Sequence, residues 1–311
     1  MRAASRQSVD FPEPPLSGEL EVDLPPGARF GVVLSHDVDH LGLREHLVDT
    51  FLARYAVNVA RQELGRRFRP LRALDAWAGI GLALVGRDRW DVIDELIEAE
   101  KSAGLPATWF FAMRRGLGIA YSDSARDAAI EEVWGAGFEV GLHGQSPEDG
   151  GALAGEIREH AERLGEDVLG MRMHYLRLTS AALDGLVEAG VRYDTTVMNR
   201  EDMRPDTHPL RGPRLVRPGL LEIPLHVMDS TLFSVTGLGM DARAAMTYFR
   251  SLMDNAAARG RVIVINLHPN NYSRQAPDAR DWFDALLAEL STRSDAFVTD
   301  FRGLLPRIVM P

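Results

Sequence analysis

Four titratable side chains fall within five consecutive residues near the start of the chain. His36, Asp37, Asp39 and His40 follow the apolar run at positions 30 to 34. Acidic residues are common in turns, so the segment alone also fits a solvated turn. In an extended strand, however, residues two apart project to the same side, which lets Asp37 and Asp39 act together. One carboxylate could then hold a metal ion while the other works as a base.

Further histidines follow later apolar segments of the chain. The carboxyl ends of parallel strands meet on one face of an α/β barrel, where active sites are built. Each histidine alone also fits a structural role at a strand end, but their recurrence after five separate segments favours one functional rim. The residues expected there are His36, His40, His143, His174, His226 and His268, together with Arg172, Tyr175 and Asp229.

The residue types at this rim favour metal-assisted hydrolysis. The chain has no cysteine, so a metal ion must be held by histidine and carboxylate, as in catalytic Zn²⁺ sites. Such an ion activates a water molecule, while a carboxylate takes its proton and an imidazolium protonates the leaving group. We find no Gly-x-Ser-x-Gly elbow, P-loop or dinucleotide-binding glycine motif that would indicate another common chemistry.

Composition narrows the class of protein and of partner. The 311 residues are 45% hydrophobic and 26% charged, which is typical of a globular chain, and the net charge is -10. An acidic protein of this kind is poorly suited to nucleic acid or an anionic membrane surface. No apolar run is long enough to span a bilayer, and the first residues lack the apolar core of a signal peptide. We therefore expect a soluble, cytoplasmic protein.

Short β-rich runs alternate with longer segments of helical periodicity, which predicts an α/β fold with a mostly parallel sheet. Seven or eight such units favour a barrel over an open sheet. Prolines at positions 12 to 26 predict an extended arm over residues 1–29, followed by one domain over 30–311 with a helical insertion at about 41–100. The predicted strands are 30–35, 108–112, 138–142, 168–172, 191–194, 221–225, 262–267 and 297–299.

The first two motifs resemble those of the NodB-type polysaccharide deacetylases, carbohydrate esterase family 4. Ser-His-Asp-Val-Asp at 35–39 resembles the family's first motif in a variant with one residue between the aspartates. The resemblance makes Asp37 the base and Asp39 a metal ligand. His143 matches the first histidine of the family's His-x-x-x-His pair, but Pro147 stands at the second histidine position.

The later motifs of this family are also recognisable. Arg-Met-His-Tyr at 172–175 resembles its third motif, which implies that Arg172 orients the base and that the Tyr175 backbone N–H faces the developing oxyanion. His174 replaces the family's proline and could supply the missing third ligand, with Gln145, Ser146 or water as alternatives. Ile-Asn-Leu-His at 265–268 resembles the last motif and implies that His268 is the general acid.

The resemblance implies an irregular (β/α)₇ barrel, one divalent metal ion, with Zn²⁺ expected, and removal of an acyl group from a sugar. The amino-acid sequences of the motifs are similar to those of a divergent branch of the family that is linked to surface-polysaccharide biosynthesis. A nucleotide-linked or lipid-linked sugar is a compatible substrate for that branch. A hydrolase of a non-sugar amide and an inactive sugar-binding protein are the alternatives, and Pro147 favours the second. Candidate substrate contacts are His36, His40, His226, Asp229 and Tyr272, and the three histidines could instead orient the metal ligands.

Overall fold

The computed structural model of the chain describes residues 12–47, 50–66, 68–200, 202–234 and 236–311. Within these ranges, ten strands form one sheet, in which every strand pairing is parallel except that of the sixth strand with the seventh. The strands are β1 Phe30–Val38, β2 Thr108–Phe111, β3 Glu139–Gly144, β4 Gly170–Met173, β5 Tyr193–Asp194, β6 Arg214–Arg217, β7 Leu220–Glu222, β8 Val227–Met228, β9 Val262–Asn266 and β10 Ala296–Thr299.

The strands curve into a half-barrel in the order β6-β7-β5-β4-β3-β2-β1-β9-β8, and β10 also pairs with β1. Helices connect the strands and cover the outside, so the predicted α/β barrel is confirmed in this irregular form. The α-helices are α1 Phe51–Val59, α2 Pro70–Leu84, α3 Ile93–Ala103, α4 Asp123–Gly135, α5 Gly150–Leu164, α6 Ser180–Glu188, α7 Asp229–Phe233, α8 Ala242–Arg259, α9 Pro277–Thr292 and α10 Phe301–Leu304.

The side chains of β1 point alternately into the barrel interior and into the layer between the sheet and the helices. All nine residues of β1 are buried. Val32 and Leu34 pack with the residues of α3, α8 and α9, whereas Val33 packs in a second core with Phe110 and Val264. Because side chains alternate along a strand, Asp37 belongs to the inner set with Val33, and His36 belongs to the outer set with Leu34.

The segment between β1 and β2 is helical. It contains α1, a π-helical stretch at Ala60–Arg66, α2, and then α3, which packs on the main core. The Gln275 side-chain amide donates to the Ala76 carbonyl at 3.2 Å, and Arg72 binds Asp278 at 2.6 Å. These contacts fasten α2 over the loop that connects β9 to α9.

The N-terminal segment is extended where it is described, from residue 12 onward, and residues 1–11 of the expected arm lie outside the described residues. The Leu16 and Leu20 N–H groups donate to the carbonyls of Leu215 and Pro213, so this segment runs beside β6.

Strands β6 and β8 were not predicted from sequence. Over the described residues, we find no helix with the length and apolar character needed to cross a membrane.

Candidate active site

Three predicted ligands meet at the carboxyl ends of β1, β3 and β4. Asp39 directly follows β1, His143 lies in β3, and His174 follows β4. His143 Nε2 and His174 Nδ1 each lie 3.2 Å from Asp39 Oδ1, and the two nitrogens are 3.0 Å apart. Both imidazoles are buried, while Asp39 is partly exposed. These three atoms therefore form a compact set of ligand atoms at the barrel mouth.

Two backbone carbonyls fix which nitrogens of the histidines face Asp39. His143 Nδ1 lies 3.0 Å from the Arg172 carbonyl, and His174 Nε2 lies 3.0 Å from the Leu117 carbonyl. A carbonyl only accepts, so these nitrogens carry the protons of the neutral rings. His143 Nε2 and His174 Nδ1 then present lone pairs beside the Asp39 carboxylate. Three acceptor atoms in contact require a cation between them. Two histidine nitrogens and one carboxylate oxygen are the ligand atoms of a His₂-carboxylate metal site.

The spacing of the three atoms also fits a small divalent ion. Ligands at the ~2.0–2.1 Å bond lengths of Zn²⁺ lie about 3.3 Å apart in a tetrahedral arrangement. Asp39 Oδ1 has no hydrogen-bond partner of good geometry among the described residues, although it is buried. His174 takes the third position that Pro147 cannot fill, so this cluster can hold a metal ion. The Gln145 side chain instead accepts from the Arg114 N–H and donates to the Gly116 carbonyl, and the Ser146 hydroxyl donates to Glu156.

Asp37 is a buried carboxylate with a donor on each oxygen. Arg172 Nη1 donates to Oδ1 at 2.8 Å, and Asn266 Nδ2 donates to Oδ2 at 2.9 Å. Arg172 is itself held by the Thr195 carbonyl and the Ser35 hydroxyl at 3.1 and 2.9 Å. Its guanidinium also lies over a phenylalanine ring on β2. Asp37 therefore has a fixed orientation inside the barrel.

Charge keeps Asp37 ionised in spite of its burial. Burial alone would raise the pKa of this carboxyl, but the Arg172 guanidinium, with a further contribution from His268, lowers the pKa below its usual value. Burial opposes ionisation of Asp39 as well, but when a proton occupies the nitrogen of His143 or His174 that faces Asp39, the hydrogen bond holds the pKa of Asp39 well below the usual range. The site therefore contains two carboxylates that are both ionised at neutral pH.

His268 approaches the cluster from the carboxyl end of β9. Its Nε2 lies 3.8 Å from Asp39 Oδ2, on the carboxylate oxygen that the other two histidines do not contact. Its Nδ1 lies 2.7 Å from Asp229 Oδ1, and its backbone N–H donates to Asp229 Oδ2. Burial would lower the pKa of His268, but Asp229 and Asp39 outweigh it and raise the pKa to about 10. His268 is therefore held as an imidazolium.

Tyr175 stands at the entrance of the site. Its side chain is 62% exposed, and its ring lies against the His174 ring with centroids 3.9 Å apart. The hydroxyl donates to the Leu117 carbonyl, the same acceptor that His174 Nε2 contacts. Its φ of 58° is in the left-handed region, where a residue with a side chain carries a cost of about 1 kcal/mol. The packing of the ring on His174 restrains this turn.

Three expected substrate contacts are instead enclosed in the protein. His36 is fully buried between the Leu267 carbonyl and Glu100, at 2.9 and 2.7 Å, because it points to the outer face of β1. His226 bridges the Arg211 carbonyl and the Val264 N–H. Tyr272 is buried, and its hydroxyl donates to Asp284. The expectation that His36, His226 and Tyr272 touch substrate is corrected by these contacts.

The two remaining candidates differ in position. His40 lies partly exposed in an aromatic group, with its Nδ1 2.9 Å from His46 Nε2 and its ring near Phe51 and Trp90. Burial lowers the pKa of His40 to about 4, so this ring is neutral. Asp229 is completely buried and supports His268, which makes it a positioning residue and not a direct substrate contact.

Sequence reasoning missed several residues that support the site. Asn266 holds Asp37, and a signal for it was present, because it is the one polar residue in the apolar run 262–267. Glu100, the partner of His36, lies in α3 and gave no comparable signal. The Leu117 carbonyl is a backbone contact from the loop after β2, which side-chain types cannot reveal.

Comparisons with known proteins give the fold. No protein-family model and no curated protein matches the chain. Solved structures match over nearly the whole chain. A Mycobacterium smegmatis protein assigned as a polysaccharide deacetylase has a TM-score of 0.63 at 18% identity, with 94% of each chain covered.

Two further structures are slightly less similar to the chain. An allantoinase has a TM-score of 0.59 at 15% identity, covering 96% of this chain and 97% of its own. A Pseudomonas aeruginosa protein assigned as a polysaccharide deacetylase has a TM-score of 0.59 at 13% identity, covering 91% and 92%. These three structural neighbours are two proteins assigned as polysaccharide deacetylases and an allantoinase, and the chain has the fold that its motifs predict.

Proposed function

We propose that this protein is a metal-dependent hydrolase that removes an acyl group from a sugar or glycan precursor. The acyl group we propose is N-acetyl. One observation carries the proposal: an ionised carboxylate, Asp37, and an imidazolium, His268, both lie beside the Asp39–His143–His174 cluster. A binding protein needs neither a base nor an acid at a metal site. A general base and a general acid on either side of a metal site are the groups that hydrolysis requires.

A divalent ion bound by Asp39, His143 and His174 would lower the pKa of a water molecule towards ~7 and polarise the acyl carbonyl. Asp37 accepts the proton of the attacking water, because Arg172 and Asn266 hold it ionised and oriented. The water oxygen forms a bond to the acyl carbon, and the carbon–nitrogen bond then breaks. His268 gives its proton to the leaving nitrogen, so the products are a carboxylic acid and an amine.

His268 needs support in order to act as the acid. Its Nδ1 proton is held by Asp229, so the Nε2 proton is the one available near the cluster. Asp229 also accepts from the Asn271 side chain at 2.9 Å, which keeps the carboxylate in place. We also propose that the Tyr175 backbone N–H faces the developing oxyanion, because the left-handed turn sets it beside His174.

The choice of substrate rests on the motifs and on the structural neighbours. Two of the similar structures are assigned as polysaccharide deacetylases, which supports a sugar amide. The allantoinase shows that the fold also serves a protein named for a non-sugar substrate. The acidic net charge of -10 is compatible with a neutral sugar. The proposed reaction is therefore hydrolysis of a sugar N-acyl bond.

Acetate release from N-acetylated sugars tests this function. We expect the Zn²⁺-loaded protein to release acetate, and expect Asp37→Asn and His268→Ala each to lower kcat by about 10²- to 10⁴-fold. Asp206→Asn, an exposed aspartate in a turn, is the matched control and should keep wild-type activity. Turnover that survives both catalytic substitutions would contradict the proposal, and the absence of turnover in all proteins would favour a sugar-binding role.

A further inference from the structure

The helical segment over residues 51–89 is basic, although the protein as a whole is acidic. This basic segment contains eight arginines and three acidic residues, which gives it a net charge of +5. The whole chain has a net charge of -10, so the residues outside the basic segment carry -15. The acidic charge of the chain therefore does not predict which partners the basic segment can bind, because binding depends on the local distribution of charge.

Large apolar side chains are concentrated on the surface of the same basic segment. Of the 16 large hydrophobic residues that are exposed in the described part of the chain, 8 lie within it. Phe68 is 80% exposed, Leu71 79% and Val85 73%. Apolar residues that are exposed singly are normal, whereas a group of this kind marks a surface that another molecule covers.

Helix α2 carries much of this apolar surface as one stripe. The members of the stripe recur at intervals of three or four residues, which places them on one side of a helix. They are Leu71, Leu74, Ala78, Gly81 and Val85, and all are exposed. On the other side of α2, Ala73 and Ala76 are buried in a cluster with Val59. Helix α2 is therefore apolar on two sides, of which the protein covers one and leaves the other open.

Some arginines of the basic segment are paired within the protein and others are free to bind a partner. Arg72 binds Asp278, and Arg89 binds Asp75, at 2.6 Å in each case. Three others are exposed and form no ion pair with any residue that the structure describes. They are Arg54, Arg61 and Arg87. Arg54 is three residues from the exposed Val57 on α1, so free positive charge and apolar surface lie on the same side of that helix.

The free arginines select among the molecules that could cover this surface. A two-fold contact between copies of the chain would bring the same surface of each copy together, and with it the free arginines of both. Like charges that meet at an interface are unfavourable, so a second copy is disfavoured. An anionic lipid surface instead offers phosphate groups to the arginines and an apolar layer beneath them.

The length of α2 determines how the helix would meet a lipid layer. It has 15 residues, whereas about 20 apolar residues are needed to cross the hydrocarbon core. We propose that the basic segment docks this protein on an anionic membrane surface, with α2 lying along the headgroup layer and its apolar stripe inserted. The free arginines then bind lipid phosphates.

Docking through the basic segment would also bring the lipid close to the active site. Helix α1 begins at Phe51, whose ring centroid lies 4.8 Å from that of His40. His40 is the residue that follows Asp39 in the chain. The membrane-docking helices and the catalytic groups are therefore neighbours in the structure.

Co-sedimentation of the full chain with lipid vesicles tests this docking. One set of vesicles contains phosphatidylcholine and phosphatidylglycerol in equal parts, and the other contains phosphatidylcholine alone. We expect binding to the anionic vesicles to be at least about tenfold tighter, because each arginine near an anionic surface adds attraction. Raising the salt from about 0.1 M to about 1 M should remove most of the difference, because the screening length falls from about 10 Å to about 3 Å.

Two pairs of variants separate the apolar from the electrostatic contribution. Leu71→Glu combined with Leu74→Glu should weaken binding to the anionic vesicles about tenfold or more. Its matched control is Val187→Glu combined with Val309→Glu, which makes the same change at exposed residues of α6 and the C-terminal segment. The control should bind close to the wild type.

Arg54→Gln combined with Arg61→Gln should likewise weaken binding to the anionic vesicles, and should not alter the weak binding to phosphatidylcholine. Arg158→Gln combined with Arg243→Gln is the control of equal charge, at exposed arginines of α5 and α8. This control should keep nearly the affinity of the wild type.

A dye on α2 reports whether the stripe enters the lipid. The chain has no cysteine, so Ala78→Cys provides a single thiol for an environment-sensitive fluorophore. Its emission should shift to shorter wavelength with the anionic vesicles, whereas the same dye on Val187→Cys should not respond.

The proposal is overturned by equal binding to both kinds of vesicle, by no binding to either, or by unchanged binding in the Leu71→Glu, Leu74→Glu protein. It is also overturned if the wild type is a dimer in solution and this protein is a monomer, because the stripe is then a contact between copies. Vesicle binding needs neither metal nor turnover, so it is measured independently of the proposed function.

Discussion

Asp229 binds His268 twice, through Oδ1 to the ring Nδ1 at 2.7 Å and through Oδ2 to the backbone N–H at 2.8 Å. The two residues come from different parts of the chain, the start of α7 and the end of β9. The double contact fixes both the ring orientation and its protonation. In the proposed function, His268 is accordingly the proton donor and not another metal ligand.

Asp229→Asn should shift the alkaline limb of the pH profile. The carboxylate of Asp229 raises the pKa of His268, so the neutral amide lowers that pKa. Because His268 acts in its protonated form, the alkaline limb of kcat/KM should move to lower pH. Asn271→Ala removes only a neutral donor to the same carboxylate and should leave that limb near its wild-type position. If the alkaline limb of kcat/KM does not move in Asp229→Asn, His268 is not the general acid.

Arg172→Met should impair both the base and the fold. Loss of the guanidinium leaves Asp37 buried without its cation, which is expected to cost about 3 to 5 kcal/mol in the free energy of unfolding. Activity per folded molecule should fall about 10- to 100-fold. The pKa of Asp37 should rise, so the acid limb of kcat/KM should move to higher pH. Arg177→Met, at an exposed arginine paired with Glu148, serves as the control.

Two glycines of α2 should respond oppositely to alanine. A Cβ on Gly79 would lie 1.4 Å from Gln275 Nε2, so Gly79→Ala must displace the amide that joins α2 to the β9–α9 loop. A Cβ on Gly81 meets nothing within 4 Å. We expect Gly81→Ala to stabilise the helix by about 1 kcal/mol and Gly79→Ala to speed hydrogen exchange in α2. Equal exchange rates in the two variants would contradict the described packing.

Much of the fold was predictable because its signals are local. The apolar run 262–267 and the alternating helices indicated a parallel α/β sheet, and β1, β2 and β9 lie where they were expected. Strand β6 was missed because it is a partly exposed edge strand with arginine at both ends, paired antiparallel and with a register shift. Strand β8 has only two residues, too few for a periodic pattern.

The site was predictable in its residue types but not in the direction of every side chain. The sequence placed six histidines near strand ends, yet only His143, His174 and His268 lie within 4 Å of Asp39 oxygens. The prediction for His36 is wrong because His36 is one residue from Asp37 in β1, and neighbouring residues of a strand point to opposite faces of the sheet. Its burial against Glu100 depends on packing with α3, which composition does not specify.

Acid should weaken the fold through buried histidines remote from the cluster. Burial lowers the pKa of His160 to about 3, against 6.5 in an exposed ring. The unfolded chain therefore binds more protons than the folded one between these values, so stability present above pH 6.5 is lost as pH falls towards 3. His160→Leu should reduce the slope of unfolding free energy against pH by up to about 1.4 kcal/mol per pH unit.

Urea unfolding at a series of pH values measures that slope for the wild type and for His160→Leu. His226 and His40, whose pKa values burial also lowers, to about 3 and about 4, remain in the variant and contribute to its residual dependence on pH. Identical slopes in the two proteins would show that His160 is not buried in its neutral form. A reduced slope with an unchanged denaturant dependence would support the predicted effect.

Metal content tests the central claim most directly. The wild type, incubated with Zn²⁺ and freed of excess ion, should contain about one equivalent by elemental analysis. His143→Ala and His174→Ala should both lose it, whereas Tyr175→Phe, which keeps the ring beside His174, should retain it. An absence of bound ion in the wild type, or full retention in His174→Ala, would contradict a metal site formed by Asp39, His143 and His174.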